Sequence, residues 1–144
     1  MSETWKRAIL YVAAGWNVLG GAASLLDPAA HFAQMYTGAL DLGDPLQRFF
    51  FTSVWIAVMA WGAAYLAAAF APAAARRVVF AAGAAGKVAY FGACVALYLE
   101  GVAKPALLVA AGAGDLGIAL LFVYALGARV AGTEVPRWQT VTRS

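Results

Sequence analysis

GAAGKVAYF, residues 83–91, sets a single ammonium group, Lys87, inside a run of small and apolar side chains. A water-exposed helix shows a polar face turn after turn, and the surroundings of Lys87 have none. The same texture continues outward from Val78 to Leu99, where Glu100 and Gly101 end it. At 1.5 Å per residue a run of this length reaches about 30 Å, the hydrocarbon thickness of a bilayer. The lysine therefore reads as lying near the middle of a membrane-spanning helix.

Three further runs have the same character. The chain of 144 residues is 64% hydrophobic and 12% charged, with a mean hydropathy of +0.76. Soluble domains are about half apolar and a quarter charged. The excess gathers in spans at about 8–26, 45–70, 78–99 and 106–126, which occupy most of the sequence. The expected fold is an all-α integral membrane protein. It is an antiparallel four-transmembrane-helix bundle forming one transmembrane domain over residues 1–144. The apolar run that follows the basic start is long enough to span and shows no clear small-residue cleavage site, so it reads as the first helix and not as a signal peptide. A short interfacial helix at 28–36 joins helices 1 and 2, because PAAHFAQMY is too short to cross and amphipathic enough to lie on the surface. Asp27-Pro28 and Asp44-Pro45 each place a capping carboxylate before a proline suited to the first helical turn. Pro72, Arg76 and Arg77 read as a polar connection, and Glu100, Gly101, Lys104 and Pro105 as a tight turn. The polar tail is expected to fray from about 132 to 144.

Basic residues set the expected threading. Lys6, Arg7, Arg76, Arg77, Arg129, Arg137 and Arg143 fall on one side, against Arg48 and Lys104 on the other. This asymmetry across short loops predicts a multi-pass cell-membrane protein with both termini cytoplasmic. It also accounts for the net charge of +3, since no basic, aromatic-interleaved surface remains to hold nucleic acid. The single cysteine, Cys94, excludes an intrachain disulfide and a cysteine-based metal cluster.

With threading assigned, Asn17 and Lys87 lie roughly 14 Å deep and Asp115 roughly 16 Å, all close to the midplane. A charged group there costs about 2.5–3.5 kcal/mol on insertion scales, so it must face the bundle interior and find a partner. Lys87 and Asp115 sit on consecutive helices joined by a short turn, and Asn17 can accept from the lysine or donate to the carboxylate. Small residues accompany each of them: Ala13 and Gly21, Gly83 and Ala84, Ala111 and Gly112. Such residues allow close helix approach. Tyr90 and Phe91, one turn beyond Lys87, and Trp16, beside Asn17, are candidate aromatic walls for a ligand. The residues expected to bind a ligand or relay a proton are thus Asn17, Lys87, Asp115, Tyr90, Phe91 and Trp16. His31, the lone histidine, reads as a solvated or capping residue, with an acid–base role at the outer mouth as the minor alternative.

No catalytic nucleophile–base pair and no metal-ligand set is legible, which leans against an enzyme. The sequence does not specify a cofactor. A non-enzymatic bundle that binds a lipid-like or small apolar ligand, or serves as an accessory subunit, is the leading expectation. Its partners would be the lipid bilayer, a hydrophobic small molecule and either a second copy or a membrane-complex subunit. A proton-coupled carrier working as an oligomer is the first alternative, and an intramembrane lipid-modifying enzyme the second. In size and span count the chain resembles the small multidrug resistance transporters. It differs from them in carrying Asn17 in the first span, its acid, Asp115, in the fourth, and a strong charge bias.

Overall fold

The two aspartate–proline pairs time the helices as the sequence implies. Asp27 accepts a hydrogen bond from the Ala30 amide at 3.0 Å and starts a helix at Pro28. Asp44 accepts from the Leu46 and Gln47 amides and starts another at Pro45. In each case the side chain satisfies amides that have no partner within the helix, and proline occupies a position where its missing N–H is not needed.

The computed structural model describes residues 1–128. Its elements are α1 (Glu3–Leu26), α2 (Pro28–Met35), α3 (Pro45–Phe70), α4 (Ala73–Leu99) and α5 (Pro105–Ala110). A π-helical segment (Ala111–Leu116) then leads into α6 (Gly117–Gly127). Four helices are long and apolar enough to cross a membrane: Glu3–Leu26, Pro45–Phe70, Ala73–Leu99 and Pro105–Gly127, with mean hydropathies of 1.5, 1.6, 1.6 and 2.2. The expected tail at 132–144 and Arg129, Arg137 and Arg143 lie outside the described residues.

Two boundaries differ from expectation. α1 begins at Glu3, capped by the Ser2 hydroxyl accepting from the Trp5 amide. α4 begins at Ala73, directly after Pro72, so Arg76 and Arg77 are helical and the expected polar connection shrinks to residues 71–72. Three alanines after the proline are strong helix formers, which explains the early start. Arg77 is exposed, whereas Arg76 is only 5% exposed. Its guanidinium meets Glu3 on α1, and Lys6 reaches the same carboxylate at 3.4 Å. Charges thus pin the start of α1 to the start of α4.

Glycines govern how the helices approach. A Cβ on Gly62 of α3 would stand 2.8 Å from Val18 and 3.1 Å from the Ala14 carbonyl of α1. One on Gly21 of α1 would stand 3.2 Å from the Trp55 carbonyl of α3. These missing methyl groups let α1 and α3 pack along their length, and α4 packs similarly on the π segment and α6. α3 and α4 follow one another in sequence yet approach each other much less. Leu10, Ala13, Ala69, Phe80 and Phe122 form a core at the end that carries the N-terminus. There the Phe122 ring lies 5.1 Å from Phe80 and 5.3 Å from Tyr65.

At the opposite end the chain forms a clasp. The Thr37 amide donates to the Val102 carbonyl at 2.9 Å and the Lys104 amide to the Met35 carbonyl at 2.8 Å. Thr37 Oγ1 adds bonds to the Gly101 and Val102 carbonyls, and the Lys104 ammonium reaches the Ala33 carbonyl. Gly101 turns the chain here at a φ of 76°, a left-handed conformation that favours glycine. The segment after α2 is thereby fastened to the turn between α4 and α5.

Candidate functional site: a polar cluster at the base of an aromatic cavity

The π segment AGAGDL carries Asp115. A π turn widens the helix by one residue per hydrogen-bonded ring and changes the direction of the side chains within it. Asp115 Oδ1 lies 2.5 Å from Lys87 Nζ. The same ammonium donates to Asn17 Oδ1 at 3.0 Å. Asn17 is held in turn by its amide nitrogen, which donates to the Val58 carbonyl of α3 at 3.2 Å. That bond orients the amide oxygen toward the lysine. Three helices and a π segment therefore meet at one ion pair, and the Lys87 and Asp115 side chains are 7% and 17% exposed.

These three side chains form the inner end of a cavity of about 750 Å³. Its walls are largely aromatic: Trp16 from α1, Phe50, Trp55, Trp61 and Tyr65 from α3, and Tyr90 from α4. His31, Tyr36 and Gln47 lie at the far end. α3 and α4, which supply facing parts of the lining, touch each other little, and Val54 and Trp61 of α3 and Ala82 and Gly86 of α4 line the cavity and are exposed.

Five of the six side chains singled out in the sequence, Trp16, Asn17, Lys87, Tyr90 and Asp115, line this one cavity. Phe91 does not. It packs on the cluster of Cys94, Ala103, Leu107 and Ala111, and its ring stands 3.5 Å from where a Cβ on Gly112 would be. One step along α4 thus separates a wall residue from a packing residue. Gly83 lies under Phe122 and the Tyr65 hydroxyl, where a Cβ would come within 2.6 and 2.9 Å.

Two residues of the site were not marked by sequence. Tyr65 is 2% exposed, and Lys87 Nζ sits 5.8 Å from its ring centroid, within cation–π range. The residue lines the cavity, and its hydroxyl has no hydrogen-bond partner among the described residues. In sequence Tyr65 is one of several aromatics in a helix apolar all round, with nothing to set its face apart. Gly114 is the other. The Trp16 indole packs against it, so close that any Cβ there would overlap the ring. The glycine pair flanking Ala113 just before Asp115 was the available signal.

His31 does not stand in open solvent. Its ring lies 4.9 Å from that of Trp55, at an interplanar angle of 88°, and burial lowers its pKa below the usual 6.5. The Tyr36 phenol nearby is pushed up from its ordinary value, chiefly by burial. Both shifts favour the neutral forms, so the far end of the cavity is an uncharged rim at neutral pH.

Comparison with protein-family models, with curated proteins and with solved structures finds no match to this chain. The chemistry must be read from the residues themselves. No three histidine, cysteine or acidic side chains gather closely enough to hold a metal ion among the described residues. The cluster can form hydrogen bonds and bear charge. Lys87 uses two of its three N–H donors on Asn17 and Asp115, and the second carboxylate oxygen of Asp115 accepts no bond from the described residues.

Proposed function

We propose that this protein is inserted in the cell membrane as an antiparallel helical bundle with both termini cytoplasmic, and that it binds one small, largely apolar molecule in the cavity between α3 and α4. In this arrangement the ion pair lies at the membrane midplane, α2 rests on the outer surface, and the far end of the cavity faces the outer leaflet. The positive-inside asymmetry supports the orientation.

The observation that carries the ligand reading is the cavity itself. Its volume of about 750 Å³ falls within the roughly 300–1,000 Å³ typical of small-molecule sites. Aromatic walls around a few convergent polar groups are the usual composition of such sites. A merely structural ion pair requires no cavity above it, and close packing normally removes one.

Native mass spectrometry of the protein released from mild detergent tests this directly. The expected result is a retained adduct of a few hundred daltons that is lost when Gly20→Leu, at a lining position with open space beside it, fills part of the cavity. A folded protein with no adduct, and no binding of an apolar fluorophore, would refute it. The orientation has its own test. Thr37→Cys in a Cys94→Ser background should react with a membrane-impermeant maleimide on intact cells, and protection there would reverse the threading.

The π segment favours a second reading, a proton-coupled carrier working as an oligomer. Conversion of Ala111–Leu116 to regular α-helix would rotate Asp115 away from Lys87, an exchange of partners that a carrier requires. In that case ligand release depends on pH and Asp115→Asn abolishes the dependence.

A further inference from the structure

The charge and hydrogen-bond inventory at the base of the cavity specifies a head group. Resting on the ligand-binding reading above, we infer that the occupant is a single-chain amphiphile with an uncharged hydroxyl head, which reaches the site sideways through the opening between α3 and α4.

Charge comes first. Lys87 and Asp115 are paired, and Asn17 is neutral, so the base of the cavity carries no net charge. A sulfate, carboxylate or ammonium head arriving there would be a buried ion without a counter-ion, which is strongly unfavourable in a low-dielectric site. A neutral head avoids that cost.

Hydrogen bonding narrows the choice further. Lys87 has one N–H left to donate, and Asp115 has one carboxylate oxygen left to accept. A hydroxyl both accepts and donates, so a single O–H group can take the free N–H and give its proton to the free oxygen. A ketone or ester carbonyl would satisfy the lysine alone and leave the carboxylate oxygen unpartnered. Tyr65, whose ring centroid is 5.8 Å from the Lys87 ammonium, also lines the cavity and carries a further hydroxyl.

Size selects one chain. If each non-hydrogen atom takes roughly the 30 Å³ share of a water molecule, 750 Å³ holds roughly 25 such atoms. That accommodates one alkyl chain with its head, and a two-chain phospholipid is far larger. Access follows from the wall. Gly86 has nothing within 4 Å of its would-be Cβ and is exposed, the exposed Val54 and Trp61 of α3 line the same cavity, and α3 and α4 touch each other little. The cavity thus communicates with the surface that acyl chains cover.

Trp16, Trp55 and Trp61 line the cavity and report on it. The protein in nanodiscs is titrated with a long-chain alcohol brominated on its chain, and the saturable part of the tryptophan quenching is recorded. Hexadecanol, hexadecane, hexadecyl sulfate and hexadecyltrimethylammonium then compete. We expect hexadecanol to displace the probe at least tenfold better than the other three. Lys87→Met with Asp115→Leu should still bind but lose the preference for the alcohol over hexadecane. Gly86→Trp, which plugs the opening, should slow probe uptake at least tenfold. Displacement by hexadecane or either ion as effective as by the alcohol overturns the hydroxyl head and leaves a cavity that binds apolar molecules. Uptake unchanged by Gly86→Trp overturns the sideways route. Absence of saturable quenching with every probe overturns ligand binding itself.

Discussion

Replacing Lys87 by methionine is the most informative perturbation, because the structure sets its size from both directions. The substitution keeps most of the length of the side chain and removes the charge. It leaves Asp115, 17% exposed, as a carboxylate without its cation at 2.5 Å, and Asn17 without its 3.0 Å donor. Removing one partner of a buried ion pair costs about 3–5 kcal/mol in soluble proteins. A lone charge at mid-membrane costs about 2.5–3.5 kcal/mol on insertion scales. The amide oxygen loses one bond, and intramembrane hydrogen bonds average only about 0.6 kcal/mol. The cavity lets water approach the stranded carboxylate, so the lower part of the range applies, about 3 kcal/mol. Lys87→Met with Asp115→Leu removes both charges and should return to within about 1 kcal/mol of the wild type, since apolar replacement of a whole buried pair is often neutral. The assay is reversible unfolding in mixed micelles by circular dichroism, run as a double-mutant cycle with Asp115→Leu as the second single variant. The coupling should then reach several kcal/mol, far above that of a neutral hydrogen bond. A single-variant loss under 1 kcal/mol, or a double variant as unstable as the sum of the two singles, would show that the pair is not coupled as the geometry requires.

Three further outcomes follow from individual contacts. Gly114→Ala drives a methyl group into the Trp16 indole and should destabilise by about 1–3 kcal/mol, with a change in tryptophan emission as the ring is displaced. Glu3→Ala leaves the buried Arg76 guanidinium with only the Ala69 carbonyl at 3.5 Å, and unfolding measurements should show a loss of about 1–3 kcal/mol. His31 titrates with a lowered pKa, so the folded state binds a proton less readily than the unfolded one. Stability is therefore full above pH 6.5 and falls as the pH drops through that value, and His31→Phe should flatten this slope in melting curves taken from pH 7.5 to 5.

The helices were legible where local chemistry leaves no alternative. Asp27-Pro28 and Asp44-Pro45 start helices because a carboxylate and a ring each remove an obstacle at a helix start. Lys87, Asn17 and Asp115 could be placed together because depth in a bilayer is a simple function of residue number. Rotation about the helix axis was harder to foresee. Tyr90 and Phe91 are adjacent in a helix with little polar face, and only packing distinguishes the wall of a cavity from the contact with Gly112. The π segment was hidden because AGAGDL satisfies either hydrogen-bond ladder by composition alone. Arg76 was misplaced for a similar reason, since an arginine pair four residues after a proline reads as a polar connection until Glu3 is seen to reach it.

The clasp at residues 35–37 and 102–104 bears on how this molecule can move. The α1–α3 pair and the α4–α6 pair are joined by peptide bonds at residues 71–72 and by main-chain hydrogen bonds at the clasp, so they are tethered at both ends. A rocking cycle that exposes the cavity first to one face of the membrane and then to the other would need one tether to act as a pivot and the other to let go. The Thr37 and Lys104 amides would then exchange with deuterium at the pace of turnover. Should they stay protected while ligand comes and goes, the two halves part only sideways, like the covers of a book bound along both short edges.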